Sequence, residues 1–335
     1  MDGCTSDSKP LRRSTIDLSA QPEAWGQFWT TSRDGAIDLG ADDPVADALR
    51  RHWLEQLPWL MHCNAVVDVG SGPAVLPRLL LALQPALLAK LQWICIDRAR
   101  IERGTDVPAT ARLLDDVDFG ASSPPPGEPL PQGLVSNFGI EYLDTDALAG
   151  GCARWLAPGG RLHALVHASG SIIDRVSAAA ADDIVWALDE VKLFDAVRAL
   201  LGVMATLPTD PIDRMMHGVA ERDAYNRAVN QLKQRMETRR AVSAPLIDML
   251  NSMGALSSLA LRGNAEQAQR ALASRHDALR GEILRLQAMQ RCALDDDRVQ
   301  TLVQALAREG ITTEPLSRLD CALGNVAWVV SGRRN

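Results

Sequence analysis

Hydrophobic and polar positions change their period several times along this 335-residue chain, and each change marks an element. From Pro22 to Leu60 the period is helical, in two stretches. The second, Pro44 to Leu57, places Val45, Leu49, Trp53 and Leu57 on one face, with a proline suited to a first helical turn. Ala65 to Val69 is then a short, mostly β-branched run that ends in Gly70-Ser71-Gly72. A leucine-rich helical stretch follows from Val75 to about Lys90, and a second apolar run from Leu91 to Ile96 stops on Asp97. Strand, glycine turn, helix and strand make a β-α-β unit, and a parallel sheet is its consequence.

The alternation continues with a short strand at Arg112 to Leu114, a fourth strand beginning at Leu134, a helix from Thr145 to Trp155 and a fifth strand from Arg161 to His167. Five of the eighteen prolines lie between Pro124 and Pro131, which predicts an extended, helix-free loop. Strand signals then cease. Asp174 to Gly310 reads as successive helices broken near Pro208 to Pro211, at Pro245 and at Gly263. Leu272, His276, Leu279, Ile283, Leu286 and Gln290 form a heptad-like seam, read as a core-facing helix more readily than as a coiled coil. A strand over Ile311 to Leu316 and a closing strand over Leu323 to Ser331 end the pattern. The expected fold is therefore α/β: a doubly wound, mostly parallel sheet of the seven-stranded type with a large all-helical insertion. Its parts are a flexible N-terminus and helical lid (1–60), a Rossmann-like domain (61–170 with 311–335) and the insertion (171–310), a substrate lid or a dimer interface.

Composition narrows the partners. A net charge of −7, with no long run of Lys or Arg, disfavours nucleic acid, whose phosphates call for a basic face. No apolar run reaches the length of a membrane span, and the polar start lacks a secretory leader. Six scattered cysteines without a CxxC pair suggest neither a disulfide framework nor a zinc site, and point to a reduced, cytoplasmic protein. Aromatic residues are only 4% of the chain, yet Trp25, Phe28 and Trp29 cluster, and seven of the nine methionines lie in the helical stretch. The first group suits a cover over a site, the second an adaptable apolar surface for an acceptor; ordinary packing explains either.

The glycine turn carries the strongest chemical signal. Glycines between a strand and a helix let a backbone approach a ligand closely. A dinucleotide site would continue G-x-G-x-x-G/A, but Val75 stands at the sixth position, and Asp68 lies where a pyrophosphate would be repelled. A cationic ligand without phosphate suits the charge better.

The segment Asp68-Val69-Gly70-Ser71-Gly72-Pro73-Ala74 resembles the first motif of class I S-adenosylmethionine-dependent methyltransferases, with Ala74 in place of the last glycine. The resemblance implies that Asp68 orients the methionine moiety and that Gly70, Ser71 and Gly72 underlie the cofactor. It implies further that Asp97, followed by Arg98, binds the ribose hydroxyls, and that Asp115 or Asp116 meets the adenine amino group. Ser136, Asn137 and Phe138 resemble the fourth-strand stretch beside the transferred methyl, although Gly133 stands where an aspartate is common. Leu156-Ala157-Pro158-Gly159-Gly160 is similar to the turn before the fifth strand. The similarity covers about residues 60–170 and the last strand. Trp29 or Trp25 is the candidate shield of the adenosine or the substrate. On the acceptor side the candidates are Glu141, Tyr142 and His167, with His167 a possible base and His163 structural. The expected activity is methyl transfer to an oxygen of a small molecule, without a metal. A catalytically silent binding protein of the same fold, or an NAD-dependent oxidoreductase, are the alternatives.

Overall fold

The computed structural model describes residues 21–32, 43–85, 90–206, 216–238 and 244–335. The expected flexible start (1–20), the break at 208–211 and residues 86–89 of the helix predicted to reach Lys90 lie outside them.

Five strands form the parallel part of the sheet: β1 (Ala65–Val69), β2 (Gln92–Ile96), β3 (Ala111–Leu114), β4 (Gly133–Asn137) and β5 (Arg161–His167). After a long helical stretch come β6 (Ile311–Thr313), β7 (Ser317–Cys321) and β8 (Gly324–Arg334). The order across the sheet is β3-β2-β1-β4-β5-β8-β6, with β8 antiparallel to β5. Crossovers to both sides of β1 leave the C-terminal ends of β1, β2 and β4 at one edge, where open α/β sheets bind ligands. The sheet has eight strands rather than seven. The strand expected over Ile311 to Leu316 stops at Thr313, and β7 and β6 both pair with one edge of β8. They are two halves of one edge path interrupted around Pro315, which has no N–H for a ladder.

Eleven α-helices are described: α1 (Gln21–Thr31), α2 (Pro44–Glu55), α3 (Leu57–Leu60), α4 (Val75–Leu83), α5 (Thr145–Trp155), α6 (Ile172–Val185), α7 (Leu193–Met204), α8 (Val219–Thr238), α9 (Ala244–Leu261), α10 (Ala265–Cys292) and α11 (Asp296–Arg308). Local chemistry sets several ends. The Asp43 side chain caps α2, whose first residue is Pro44. Asp144 caps α5 by accepting from the N–H groups of Asp146 and Ala147. Helix α4 ends at Leu83 because Gln84 precedes Pro85 and leaves the helical region. The break expected near Pro245 falls between α8, which ends at Thr238, and α9, which begins at Ala244 with Pro245 in its first turn, and Gly263 follows the end of α9. Breaks that periodicity missed are the π-helical turn Trp186–Glu190 before α7 and the Ala293–Asp295 link before α11.

Side chains alternate across the sheet and seed two cores. Val66, Val135 and Leu165 pack with Trp53, Leu57, Leu60, Leu76 and Leu80 of α2, α3 and α4. Val67, Leu134, Leu162 and Val166 pack with Leu148 and Trp155 of α5 and Val299, Leu302 and Leu306 of α11. The seam residues Leu272, Leu279, Ile283 and Leu286 of α10 are buried in the first core. No helix among the described residues is long and apolar enough to cross a membrane.

Candidate active site

Beyond β1 the chain passes through left-handed conformations at Gly70 (φ 69°), Gly72 (φ 52°) and Ala74 (φ 58°). A Cβ on Gly70 would lie 2.6 Å from the Gly139 Cα, so the turn after β4 rests directly on the glycine loop. The loop's own N–H groups all point inward. Gly70 and Ser71 donate to the Ile96 carbonyl (2.8 and 3.2 Å), Ala74 to that of Gly72 (2.8 Å) and Val75 to that of Ser71 (3.1 Å). Gly72 donates to Oδ2 of Asp97 (2.8 Å). Pro73 has no N–H, so every donor of residues 70–75 is used within the protein.

Under this loop lies Asp68, 1% exposed, with Oδ2 buried and without a hydrogen-bond partner. Burial first, and the Asp97 charge second, push its pKa up to about 8. The Asp97 carboxylate at the end of β2 also accepts from the Ala99 N–H at 2.8 Å. Burial raises its pKa to about 6 in spite of backbone N–H donors from Ala99, Gly72 and Arg98. Arg98 itself is exposed. Of the two adenine candidates, Asp115 is half-buried and accepts from the Ile101 N–H (3.3 Å), whereas Asp116 is exposed in a left-handed turn (φ 56°). Ser71 is buried and donates to the Gly72 carbonyl. Trp29 is buried with Ala99 and Ile101, its ring 2.7 Å from where a Gly72 Cβ would stand.

The three residues at the end of β4 and just after it do different work. The fully buried Ser136 hydroxyl donates to the Val69 carbonyl (2.7 Å) and accepts from the Ile140 N–H (3.1 Å), so it staples β4 to β1. Ser136→Ala strands the Ile140 donor and is expected to cost about 1–3 kcal/mol, measured by urea denaturation. Asn137 Oδ1 accepts from the Trp53 indole (2.9 Å), which ties α2 to the strand end. Phe138 takes φ 63°, rare for a bulky residue, and its ring stacks on His167 at 4.5 Å.

Glu141, Tyr142 and His167 come together beside that ring. Glu141 Oε1 accepts from the His167 backbone N–H (2.9 Å) and lies 3.9 Å from His167 Nε2. Its other oxygen is buried without a hydrogen-bond partner. Burial lifts the Glu141 carboxyl to about 8 and holds His167 down at about 3, so the imidazole is neutral at pH 7. His163 lies apart, with its ring nitrogens 2.8 Å from His52 Nε2 and 2.7 Å from the Ser331 hydroxyl.

Sequence reasoning missed Arg285 and Cys292, which reach the site from α10. Cys292 lies against the Tyr142 hydroxyl, and the Arg285 charge opposes protonation of His167. An amphipathic helix far along the chain carries no local mark of such a role. Among the described residues no group of three or more His, Cys, Asp or Glu is placed to hold a metal ion.

No family model matches the chain, and no curated protein matches its sequence. Solved structures that resemble it include a protein from Rhodobacter sphaeroides assigned to the Zn-dependent alcohol dehydrogenases (14% identity, 96% of this chain and 100% of that one, TM-score 0.41). Another is the N-methyltransferase NodS from Bradyrhizobium japonicum (9% identity, 88% and 98%, TM-score 0.38). A third is the glycopeptide N-methyltransferase MtfA complexed with sinefungin (17% identity, 42% and 56%, TM-score 0.29). At these scores none of the likenesses carries an argument about function.

Proposed function

We propose that this protein is an S-adenosylmethionine-dependent methyltransferase that acts on an oxygen of a small-molecule acceptor. One observation carries the reading: the glycine loop's N–H groups are all spent within the protein, above a buried carboxylate whose Oδ2 lacks a hydrogen-bond partner. A dinucleotide needs those N–H groups, and the helix start behind them, for its pyrophosphate. The loop offers a phosphate nothing and sets Asp68 against it. A ligand with an ammonium and a sulfonium, and no phosphate, supplies what the buried carboxylate needs.

The residues present fit such a cofactor. Asp68 would receive its ammonium. Asp97 accepts from the Gly72 and Ala99 N–H groups, with the Arg98 N–H also directed at it, and of about four acceptor positions it retains room for a ribose hydroxyl. When bound, the cofactor supplies a methyl group activated by a positive sulfur. The protein's share is to align the acceptor and exclude water. His167, at about 3, is too weak a base for this, so the role moves to Glu141. With a pKa of about 8 its carboxyl is mostly protonated at pH 7, so the base would be its ionised minority form, whose share grows toward pH 8 and whose unpartnered oxygen would take the hydroxyl proton. Tyr142 and the neutral His167 border the same place and orient the acceptor.

S-Adenosylhomocysteine, at a hundred times its dissociation constant, is expected to stabilise the protein by about 2.7 kcal/mol, a rise of a few degrees in Tm. Asp97→Ala is expected to weaken that binding at least tenfold, about 1.4 kcal/mol or more. An Asp97→Ala protein with an unchanged shift would remove the ribose assignment, and no shift in the wild type would remove the reading.

A further inference from the structure

Helix α10 buries an arginine. Arg285 is 5% exposed, and Glu282, one turn earlier, pairs with its Nε at 2.9 Å and with a terminal nitrogen. That ion pair could form in water on the helix surface; instead the guanidinium faces α1. It lies 4.6 Å from the Phe28 ring centroid and 5.4 Å from that of Trp25, both in cation–π range. The helices also approach closely at Gly281, where a Cβ would stand 3.2 Å from Gln27 Oε1.

From these two rings, contacts run to both halves of the site. Trp25 stacks on Trp29 (5.9 Å, 25°) and meets the Tyr142 ring edge-on (5.7 Å, 90°). Trp29 in turn lies on Gly72 and packs with Ala99 and Ile101, on the loops that carry the cofactor candidates. Helix α1 has 11 residues with Gly26 in its interior. A helix of that length is marginal alone, and an interior glycine weakens it further. Its place over the glycine loop therefore depends on what it docks against.

We propose that Arg285 is a positioning residue: it latches α1 through Phe28 and Trp25, and so sets Trp29 on the glycine loop and Trp25 on Tyr142. Cofactor enters and leaves as this latch opens. The identity of the cofactor rests on the methyltransferase reading; the latch does not.

Two readouts on the full chain test this. Hydrogen exchange follows the peptide 21–32, and stopped-flow tryptophan fluorescence follows dissociation of S-adenosylhomocysteine. Arg285→Met keeps the volume and removes the charge. It is expected to speed exchange in α1 and ligand dissociation each by about tenfold, the scale of a buried cation–π contact, with α10 and sheet peptides unchanged. Arg285→Lys keeps a cation and is expected to restore most of both. Phe28→Leu, which leaves α10 intact, is expected to loosen α1 in the same way and decides the matter should Arg285→Met fail to fold. Unchanged α1 exchange, faster exchange throughout the molecule, or a lysine variant that behaves like methionine overturns the proposal. A wild type that binds no S-adenosylhomocysteine defeats the methyltransferase reading alone, because the exchange arm still decides the latch.

Discussion

Gly70→Ala and Gly139→Ala are each expected to cost about 3 kcal/mol or more, at the upper end of overpacking effects, and to abolish cofactor binding. The two glycines meet backbone to backbone. A Cβ on Gly139 would stand 2.4 Å from the Val69 carbonyl oxygen and 2.8 Å from the Gly70 Cα. A Cβ on Gly70 would meet the Gly139 Cα at 2.6 Å, and its φ of 69° adds about 1 kcal/mol for any residue with a side chain. No flexible side chain can yield in either case. Relief requires the β1 and β4 turns to part, which moves the loop off the Asp68 carboxylate. Because both variants strain one contact, their effects should not add. Gly127→Ala is the control: its φ is 85°, but nothing lies within 4 Å, so only the backbone term of about 1 kcal/mol applies. Urea denaturation of the three variants decides the point; equal costs at Gly70 and Gly127 would show that the close approach is absent.

The second large effect is a stabilising one. Asp68→Asn should raise stability at pH 8.5 while destroying affinity for a cationic cofactor. Asp68 and Glu141 have folded pKa values near 8, above their ordinary 3.8 and 4.5. The folded state therefore binds more protons than the unfolded state between about pH 4 and 8, and stability from these groups is lost as pH rises through that window. His163 and His167, held down to about 3, act oppositely. Their stability is fully present above pH 6.5 and lost as pH falls below it. The two sets oppose each other between about pH 4.5 and 6.5, and only the carboxylates act from 6.5 to 8. At about 1.4 kcal/mol per pH unit for each group, the wild type should lose a few kcal/mol over that upper interval. Asp68→Asn removes one of the two slopes. Denaturation curves at pH 6.5 and 8.5 measure it; equal losses in variant and wild type would show that Asp68 is not the buried titrating group. The gain would come at a site that a cofactor needs strained, a trade of stability for function.

How much of this was legible depended on how local each signal was. β1 and β5 were readable to the residue, because β-branched runs end in glycine turns and Pro158-Gly159-Gly160 precedes Arg161. β7 was not, since Ser317-Arg318-Leu319-Asp320-Cys321 is a polar edge segment whose strand character comes from pairing with β8. The glycine loop and Asp97 were visible as a motif, and their hydrogen bonds were not: that Gly72 is held by Asp97 is a contact across 25 residues. Ser136 read as a cofactor contact, but its hydroxyl is spent on Val69 and Ile140. His167 read as a base because of its residue type, whereas the burial that holds its pKa near 3 and lifts that of Glu141 to about 8 comes from packing that no local pattern shows. Arg285 had no sequence signature at all, because its partners Phe28 and Trp25 lie more than 250 positions away.

Titration calorimetry of the wild-type protein with S-adenosylmethionine at pH 7, in two buffers of different ionisation enthalpy, tests the central claim most directly. With a pKa near 8, Asp68 is mostly protonated in the free protein, and a bound ammonium would hold it ionised. Binding with release of roughly one proton is the predicted result, with no heat from NAD under the same conditions. Absence of binding at millimolar S-adenosylmethionine, or saturable binding of NAD in its place, would contradict the account.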